Sequence, residues 1–192
     1  NHNPFLPYDQ NLLIEKLETT GHVLLFNKFS LVTPHVLLIT DTFQLQDKTC
    51  TREDFEAVGA FYERYGDDFI MFYNCGPQSG ASQPHRHFQF IPDDDCGVPF
   101  LGKHAPCSAK DLFDNYMTLL KGVKSNSFNL LFSPKWGLHL IERSSERCSL
   151  GLSINSMGFL GCLLVKRQED VERLLEAGPH QVLTEIIVST QK

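Results

Sequence analysis

One stretch constrains this chain more than any other. A run of Gly, Ser, Pro, Gln and Asn over residues 74–83 leads directly into His85-Arg86-His87-Phe88-Gln89-Phe90-Ile91. Successive side chains of a strand point to opposite faces. In an extended backbone His85, His87 and Gln89 therefore share one face, with neighbours about 6.6 Å apart. Phe88 and Phe90 take the other face and point to the core. Aromatic rings inside with imidazole and amide outside is the alternation of a half-buried strand.

The surrounding pattern supplies a sheet for that strand. Residues 3–9, Asn-Pro-Phe-Leu-Pro-Tyr-Asp, read as an extended arm punctuated by proline. Val-, Leu- and Ile-rich strands are predicted over 22–26 and 35–40, joined by a turn, and a third over 69–73. Thr51 with Asp54 three residues on is a capping-box signal. The helix it opens, 52–65, places Phe55, Val58, Gly59 and Tyr62 on one face. Residues 92–107 look irregular and polar. Ser108 is expected to cap a helix over 109–121 with Leu112, Tyr116, Leu119 and Leu120 inward. Residues 128–132 and 136–141 read as a strand pair around Ser133-Pro134-Lys135. Further strands are expected over 149–154 and 159–165, the second ambiguous with helix. A polar-faced helix is expected over 168–176, and Pro179 opens a last helix. Strands with appended rather than strictly alternating helices predict an α+β fold with a mostly antiparallel sheet and helices packed on one face.

Charge and composition exclude several roles. Seventeen Lys+Arg against 23 Asp+Glu leave a net charge of −6, which disfavours nucleic acid or an anionic membrane surface as partner. The longest apolar run, 158–165, falls far short of the roughly 20 residues of a membrane span. A composition 42% hydrophobic and 21% charged is that of a globular protein. The six cysteines include no CxxC pair. They read as reduced thiols, several of them small buried hydrophobes, in a cytoplasmic protein. The first residue is Asn rather than Met, which suggests a fragment or a processed product.

The His-x-His-x-Gln strand and the loop before it suggest phosphorus chemistry. A neutral imidazole is a nucleophile near pH 7 without a separate base. Its attack on phosphorus gives an N–P bond labile enough to pass on. Backbone N–H groups around Gly76, Ser79, Gly80 and Ser82 could form a concave anion site, with the hydroxyls as added donors. Gln89 would donate to a non-bridging phosphate oxygen without titrating. The spacing alone also admits a metal-ligating histidine pair or an exposed one.

The segment 79–89, Ser-Gly-Ala-Ser-Gln-Pro-His-Arg-His-Phe-Gln, resembles the transferase branch of the histidine-triad superfamily, and within it the diadenosine tetraphosphate phosphorylase (ATP adenylyltransferase) family. Three other segments match in the family's order: the Asn-Pro-Phe arm; Asn27-Lys28-Phe29 through 35–40 with Phe43 and Gln46; and Ser153-Ile154-Asn155-Ser156-Met157-Gly158-Phe159 through Lys166. The resemblance implies a histidine-triad-like fold. It also implies a single catalytic domain over 1–192, with a core at 1–125 and strands and helices of 126–192 completing the nucleotide site.

The resemblance assigns roles. His87 would be the nucleophile that takes the adenylyl group, and His85 would support its orientation. Gln89 would contact phosphate where hydrolases of the superfamily carry a third histidine. Asn74, Ser79, Gly80, Ala81, Ser82 and Gln83 would line the phosphate path. Asn155, Ser156, Met157, Cys162 and Lys166 would close over the nucleotide, with Lys166 as polyphosphate partner. The implied reaction is diadenosine tetraphosphate plus phosphate to ATP plus ADP, reversible, through an AMP–histidine intermediate. The implied partners are thus diadenosine polyphosphates, ATP, ADP and inorganic phosphate. No tightly bound cofactor or protein-held metal is expected; Mg2+ would enter with the nucleotide. Two rivals stand beside this reading: a sugar-nucleotide enzyme using GDP- or UDP-hexose, and a nucleotide-binding protein without turnover. The family usually has a longer region ahead of Asn-Pro-Phe, a Pro-Arg pair where Glu142-Arg143 stands, and Met or a small residue at Cys162.

Other residues have plainer readings. Asn27 is a turn residue that the resemblance would set against a ribose. His35 reads as a packed or capping histidine, and Trp136 as core. Asp93-Asp94-Asp95 reads as a solvated acidic loop, and Cys96, His104 and Cys107 are too irregularly spaced to make a good zinc site.

Overall fold

The computed structural model describes residues 3–30, 32–94, 96–99 and 101–188. Its centre is one eight-stranded sheet in the order β1-β2-β3-β5-β4-β7-β8-β6. The strands are β1 (Leu13–Leu17), β2 (His22–Phe26), β3 (Val36–Thr40), β4 (Phe69–Cys75), β5 (His87–Pro92), β6 (Lys103–Ala105), β7 (Phe128–Ser133) and β8 (Gly137–Glu142). Every pairing among these strands is antiparallel. The β4–β7 ladder, Met71↔Phe132 to Cys75↔Phe128, joins the N-terminal and C-terminal strands into a single sheet. The two strands not expected from sequence, β1 and β6, are short and sit at the two ends of the sheet. β1 reads Leu-Ile-Glu-Lys-Leu, and charged residues blunt an edge strand while hiding its pattern.

The first face of the sheet carries Leu24, Val36, Leu38, Met71, Tyr73, Phe88, Phe90, Leu130, Phe132, Leu138 and Leu140. Helices α1 (Arg52–Tyr65) and α2 (Leu112–Leu120) cover it. α1 has the expected boundaries because both capping-box bonds form: Asp54 N–H donates to Thr51 Oγ1 and Thr51 N–H to Asp54 Oδ2. Its Phe61 ring stacks on Phe90 at 3.7 Å between centroids. α2 starts later than expected, after a 3-10 turn, and the Ser108 hydroxyl donates to Asp111 rather than capping the backbone.

Helices also lie on the opposite face, beyond the one-sided layer expected from sequence. Ile70, Phe72, Ile91, Leu131 and Ile141 pack there against Ile154, Met157, Phe159, Leu174, Val182, Leu183 and Ile186. These come from α3 (Ser156–Phe159), α4 (Gln168–Ala177), α5 (Pro179–Thr184) and the chain around them. The reason is visible in β4 and β7, which are apolar on both faces and so need cover twice. The segments expected as strands over 149–154 and 159–165 belong to this layer instead. Only a single bridge, Ser153 to Arg147, forms in the first. The second begins at Phe159, the last residue of the four-residue helix that Asn155 caps, and then turns at Gly161, whose φ is +88°. Trp136 packs partly buried against the same layer.

This second layer stops short of β2 and β3. There the face carries Val23, Leu25, Leu37 and Ile39, and Phe5 and Tyr8 of the N-terminal arm lie against them. A trough remains between the arm and the α3 segment, and His87 and Gln89 point into it.

Behind the trough, Arg86 takes the helix-facing side of the same chain segment. It is 3% exposed and donates through Nη1 to Asp54 Oδ2 at 2.8 Å, while His22 Nε2 lies 3.0 Å from Asp54 Oδ1. Removing one partner of a buried ion pair leaves the other charge without compensation. We predict that Asp54→Ala lowers unfolding free energy by ~3–5 kcal/mol, read as a fall in the urea midpoint; a loss below ~1 kcal/mol would show that Arg86 finds its compensation elsewhere.

Candidate active site

The trough is a cavity of about 710 Å³. Leu25, Leu37, Phe72 and Ile91 form its floor, and Phe5, Tyr8 and Leu12 form one wall. Ser82, Gln83, Asn155, Met157 and Leu164 form the other wall, with Phe26, Lys28, Phe29 and Val32 at the mouth. A mostly apolar pocket with few polar groups at its base is the usual architecture of a small-molecule site.

His87 is the most constrained of those groups. Its side chain is 2% exposed. Nδ1 lies 2.8 Å from the His85 carbonyl oxygen, which can only accept, so the Nδ1–H tautomer is fixed. Nε2 is left with its lone pair, and no group among the described residues bonds to it. Burial is the main cause that pushes the His87 pKa down to about 4, and the neighbouring His85 and His35 act in the same direction. The ring is therefore neutral at physiological pH.

A residue without a sequence-derived role fixes the backbone under that ring. β4 and β5 pair from Phe69↔Pro92 to Phe72↔Gln89 and then diverge. The buried Gln46 side chain fills the gap. Its Oε1 accepts from His87 N–H at 2.7 Å, and its Nε2 donates to the Asn74 carbonyl at 2.8 Å and to the His87 carbonyl at 3.3 Å. One amide thus replaces a missing rung of the ladder. Only its place in the matched segment after Phe43 singled it out in the sequence.

His85 lies just ahead of β5, in an isolated bridge with Leu45, and is fully buried. Nε2 donates to the Thr40 carbonyl at 2.9 Å, so Nδ1 accepts from Asn3 Nδ2 at 3.1 Å. His85 acts on His87 through its backbone oxygen.

Gln89 and His87 share the cavity face. His35 Nε2 lies 3.0 Å from Gln89 Oε1, and Asn27 Nδ2 donates to His35 Nδ1 at 3.2 Å. With its oxygen engaged, Gln89 is left to offer its NH2 to the cavity. Phe29 N–H donates to Asn27 Oδ1 at 3.0 Å. His35 is therefore part of the site rather than a plain packing residue. The signal for it was its place just ahead of a strand beside the His-x-His strand, which pairing alone reveals: Leu37 sits opposite Gln89.

The remaining expected site residues divide into two groups. Ser82, Gln83, Asn155 and Met157 line the cavity, and Asn155 Oδ1 also caps α3 by accepting from Met157 N–H at 3.0 Å. Asn74, Ser79 and Ser156 do not line it. Asn74 Oδ1 accepts from Asn129 Nδ2, Ser156 N–H and Ser156 Oγ, at 2.7, 3.0 and 2.7 Å. The Ser79 hydroxyl turns inward to the Gly76 carbonyl at 2.7 Å. The Asn74 oxygen and the two serine hydroxyls are thus bonded within the walls. Gly80, with φ +76°, lies against residues 154 and 155, where a Cβ would come within 2.7 Å of the Ile154 oxygen. Ala81 follows it, half-buried and outside the cavity lining. Cys162 is exposed beside a separate small cleft that includes Gly80. Lys166 is exposed and outside the cavity lining; Lys28 is the cation at the mouth.

Among the described residues no three His, Cys, Asp or Glu side chains form a metal-binding group. His104 donates through Nε2 to the Trp136 carbonyl at 2.6 Å. Asp93 pairs with Lys135 at 3.1 Å, and Asp95 lies outside the described residues.

Two family models match the chain: the Ap4A phosphorylase N-terminal domain over residues 1–110 and the ATP adenylyltransferase C-terminal domain over 82–189. The diadenosine 5',5'''-P1,P4-tetraphosphate phosphorylase 2 of Saccharomyces cerevisiae is 29% identical, covering 94% of this chain and 73% of its own length. Solved structures of yeast Ap4A phosphorylase Apa2 superpose closely. The complex with Ap4A gives a TM-score of 0.83 at 26% identity, covering 100% of this chain and 82% of that one. The complex with AMP gives 0.74 at 26% identity, covering 100% and 83%.

Unfolding returns the His87 ring to its ordinary range near 6.5, so the unfolded chain binds more protons between pH 6.5 and about 4. We predict that this ring's contribution makes stability fall as pH drops through that window. Nitrogen-15 NMR should find His87 as the neutral Nδ1–H tautomer down to pH 5; titration near 6.5 would mean that the ring is open to solvent.

Proposed function

Because these two models together span residues 1–189, the chain belongs to the Ap4A phosphorylase–ATP adenylyltransferase family, and from that premise we propose that it cleaves diadenosine tetraphosphate with inorganic phosphate to ATP and ADP, reversibly, through an adenylylated His87. The observation that carries this reading is the neutral, buried His87 with Nδ1–H held by a carbonyl and Nε2 free beside the Gln89 amide.

The chemistry runs in two displacements. An adenosine half of the substrate occupies the apolar trough. His87 Nε2 attacks the α-phosphorus, the bond to the bridging oxygen breaks, and ATP leaves. The ring gains positive charge as the N–P bond forms, and the His85 carbonyl on Nδ1–H stabilises that charge while fixing the ring's direction. Gln89 NH2 donates to a non-bridging oxygen, and His35 and Asn27 keep that amide oriented. Phosphate then attacks the same phosphorus, the N–P bond breaks, and ADP leaves with the neutral imidazole restored. Because the acceptor is phosphate, the bond energy is kept in ADP.

Lys28 at the mouth would meet the polyphosphate, in place of Lys166. Mg2+ bound to the nucleotide would supply the rest of the charge balance. A cytoplasmic location fits a chain whose six cysteines are all free thiols. No helix of the described residues is long and apolar enough to cross a membrane.

Incubation with α-labelled Ap4A and rapid quenching should give an acid-labile, base-stable label on the protein. His87→Ala should abolish the label and cut turnover by at least ~10³-fold with nucleotide binding retained. Labelling from a UDP- or GDP-hexose instead would favour the sugar-nucleotide reading, and tight binding without label would favour a binding protein. An amide at Gln89 cannot move a proton for an attacking water as an imidazole can, so Gln89→His is expected to raise AMP relative to ADP among the products; an unchanged ratio rejects that role.

A further inference from the structure

The N-terminal arm does more than lie along the sheet. Asn3 Nδ2 reaches His85 Nδ1 at 3.1 Å, a bond that spans 82 residues of sequence. Asn3 Oδ1 also accepts from Phe5 N–H at 3.0 Å, so the same side chain sets the direction of Phe5. The Phe5 ring sits over both histidines, with centroids 5.7 Å from His85 and 5.1 Å from His87. Phe43 meets His85 from another side at 5.5 Å. Phe5 is the arm's contact with the reacting ring, and it also lines the cavity.

From this geometry we propose that Phe5 is a positioning residue for adenylyl transfer: latched by Asn3 to His85, its ring closes the solvent side of His87, fixing the imidazole and keeping bulk water from the AMP–His87 bond. The inference rests on the reading of His87 as nucleophile and adds a part to it.

Two consequences follow from chemistry. An imidazole rotates about two side-chain bonds, and the Nδ1–H bond to the His85 carbonyl alone leaves its plane loosely set; the Phe5 ring, tilted 57° against it at 5.1 Å between centroids, removes that freedom at small entropic cost. On the intermediate, water and phosphate compete for one phosphorus. If water attacks, an O–P bond forms, the N–P bond breaks, the water proton passes to solvent and AMP is released. If phosphate attacks, the same N–P bond breaks and ADP is released. A closed arm lowers the water route by limiting access, while phosphate enters from the open end of the trough. The groups facing His87 are its neighbours His85 and His35, the Gln89 amide and Phe5, with Asp9 and Lys28 farther along the cavity. Opening the arm therefore changes hydration around His87 more than it changes charge.

The test compares wild type, Phe5→Ala and Phe5→Leu with two independent readouts. The first is the nitrogen-15 titration of His87 in the free protein, which needs no substrate. Phe5→Ala should move the midpoint up by about one pH unit toward the solvent value, and Phe5→Leu should restore most of the difference. The second is the AMP:ADP ratio at fixed phosphate, which Phe5→Ala should raise on the order of tenfold and Phe5→Leu should bring back. Loss of stability alone would lower the amount of active enzyme without moving either quantity. A His87 midpoint in Phe5→Ala equal to wild type overturns the proposal, as does an unchanged product ratio. If wild type itself takes no label from Ap4A, the functional reading fails, and the titration still decides whether Phe5 seals the ring.

Discussion

Arg143 is the interaction on which the shape of the site depends. It follows β8, is fully buried, and has no carboxylate within hydrogen-bond distance among the described residues. Its Nη1 donates to Asn129 Oδ1 at 2.6 Å, to the Ile154 carbonyl at 2.9 Å and to the Ser79 carbonyl at 3.4 Å. Nη2 donates to the carbonyls of Ser145 and Glu146, and Nε to that of Ile186. Burial lowers its pKa to about 10, with Glu146 acting weakly the other way, so the charge survives at neutral pH. A cation can be kept in the interior only if its donors are satisfied. That requirement draws three separate pieces of chain, the Gly/Ser loop, the segment before α3 and the C-terminal end, to one point.

The effect passes from there to the cavity. Asn129 hands the constraint to Asn74, and Asn74 to Ser156, so α3 is anchored to the middle of the sheet. Asn155 and Met157, on the same turn, then face His87 across the trough. The loop residues that seemed suited to hold phosphate split in two for the same reason. Those bonded into this network, Ser79 and Asn74, lie outside the cavity lining, and those beyond it, Ser82 and Gln83, reach the cavity.

The floor of the site follows a different logic. A nucleophilic imidazole must stay uncharged and point one way, and a strand gives it only a place. Direction comes from the His85 carbonyl, backbone position from Gln46, and burial from the sheet and the Phe5 ring of the arm. Each is contributed by a different segment, which is why the site tolerates no simple reading as a linear motif.

Local pattern was enough for α1, for β2, β3, β5, β7 and β8, and for the shared face of His87 and Gln89, because capping, strand alternation and turn residues act over a few positions. β1 and β6 were hidden by short length and charged residues, and 149–165 by an apolar content that suits a strand or a helix equally. The sequence by itself determined that a neutral imidazole and an amide stand side by side on a half-buried strand next to a glycine-rich loop. Only the tertiary structure decided that His35 orients the amide, that Asn74 and Ser79 face inward, and that Lys28 rather than Lys166 stands at the mouth. Those outcomes depend on which distant polar atoms meet once the chain is closed, and no periodicity along the chain encodes that.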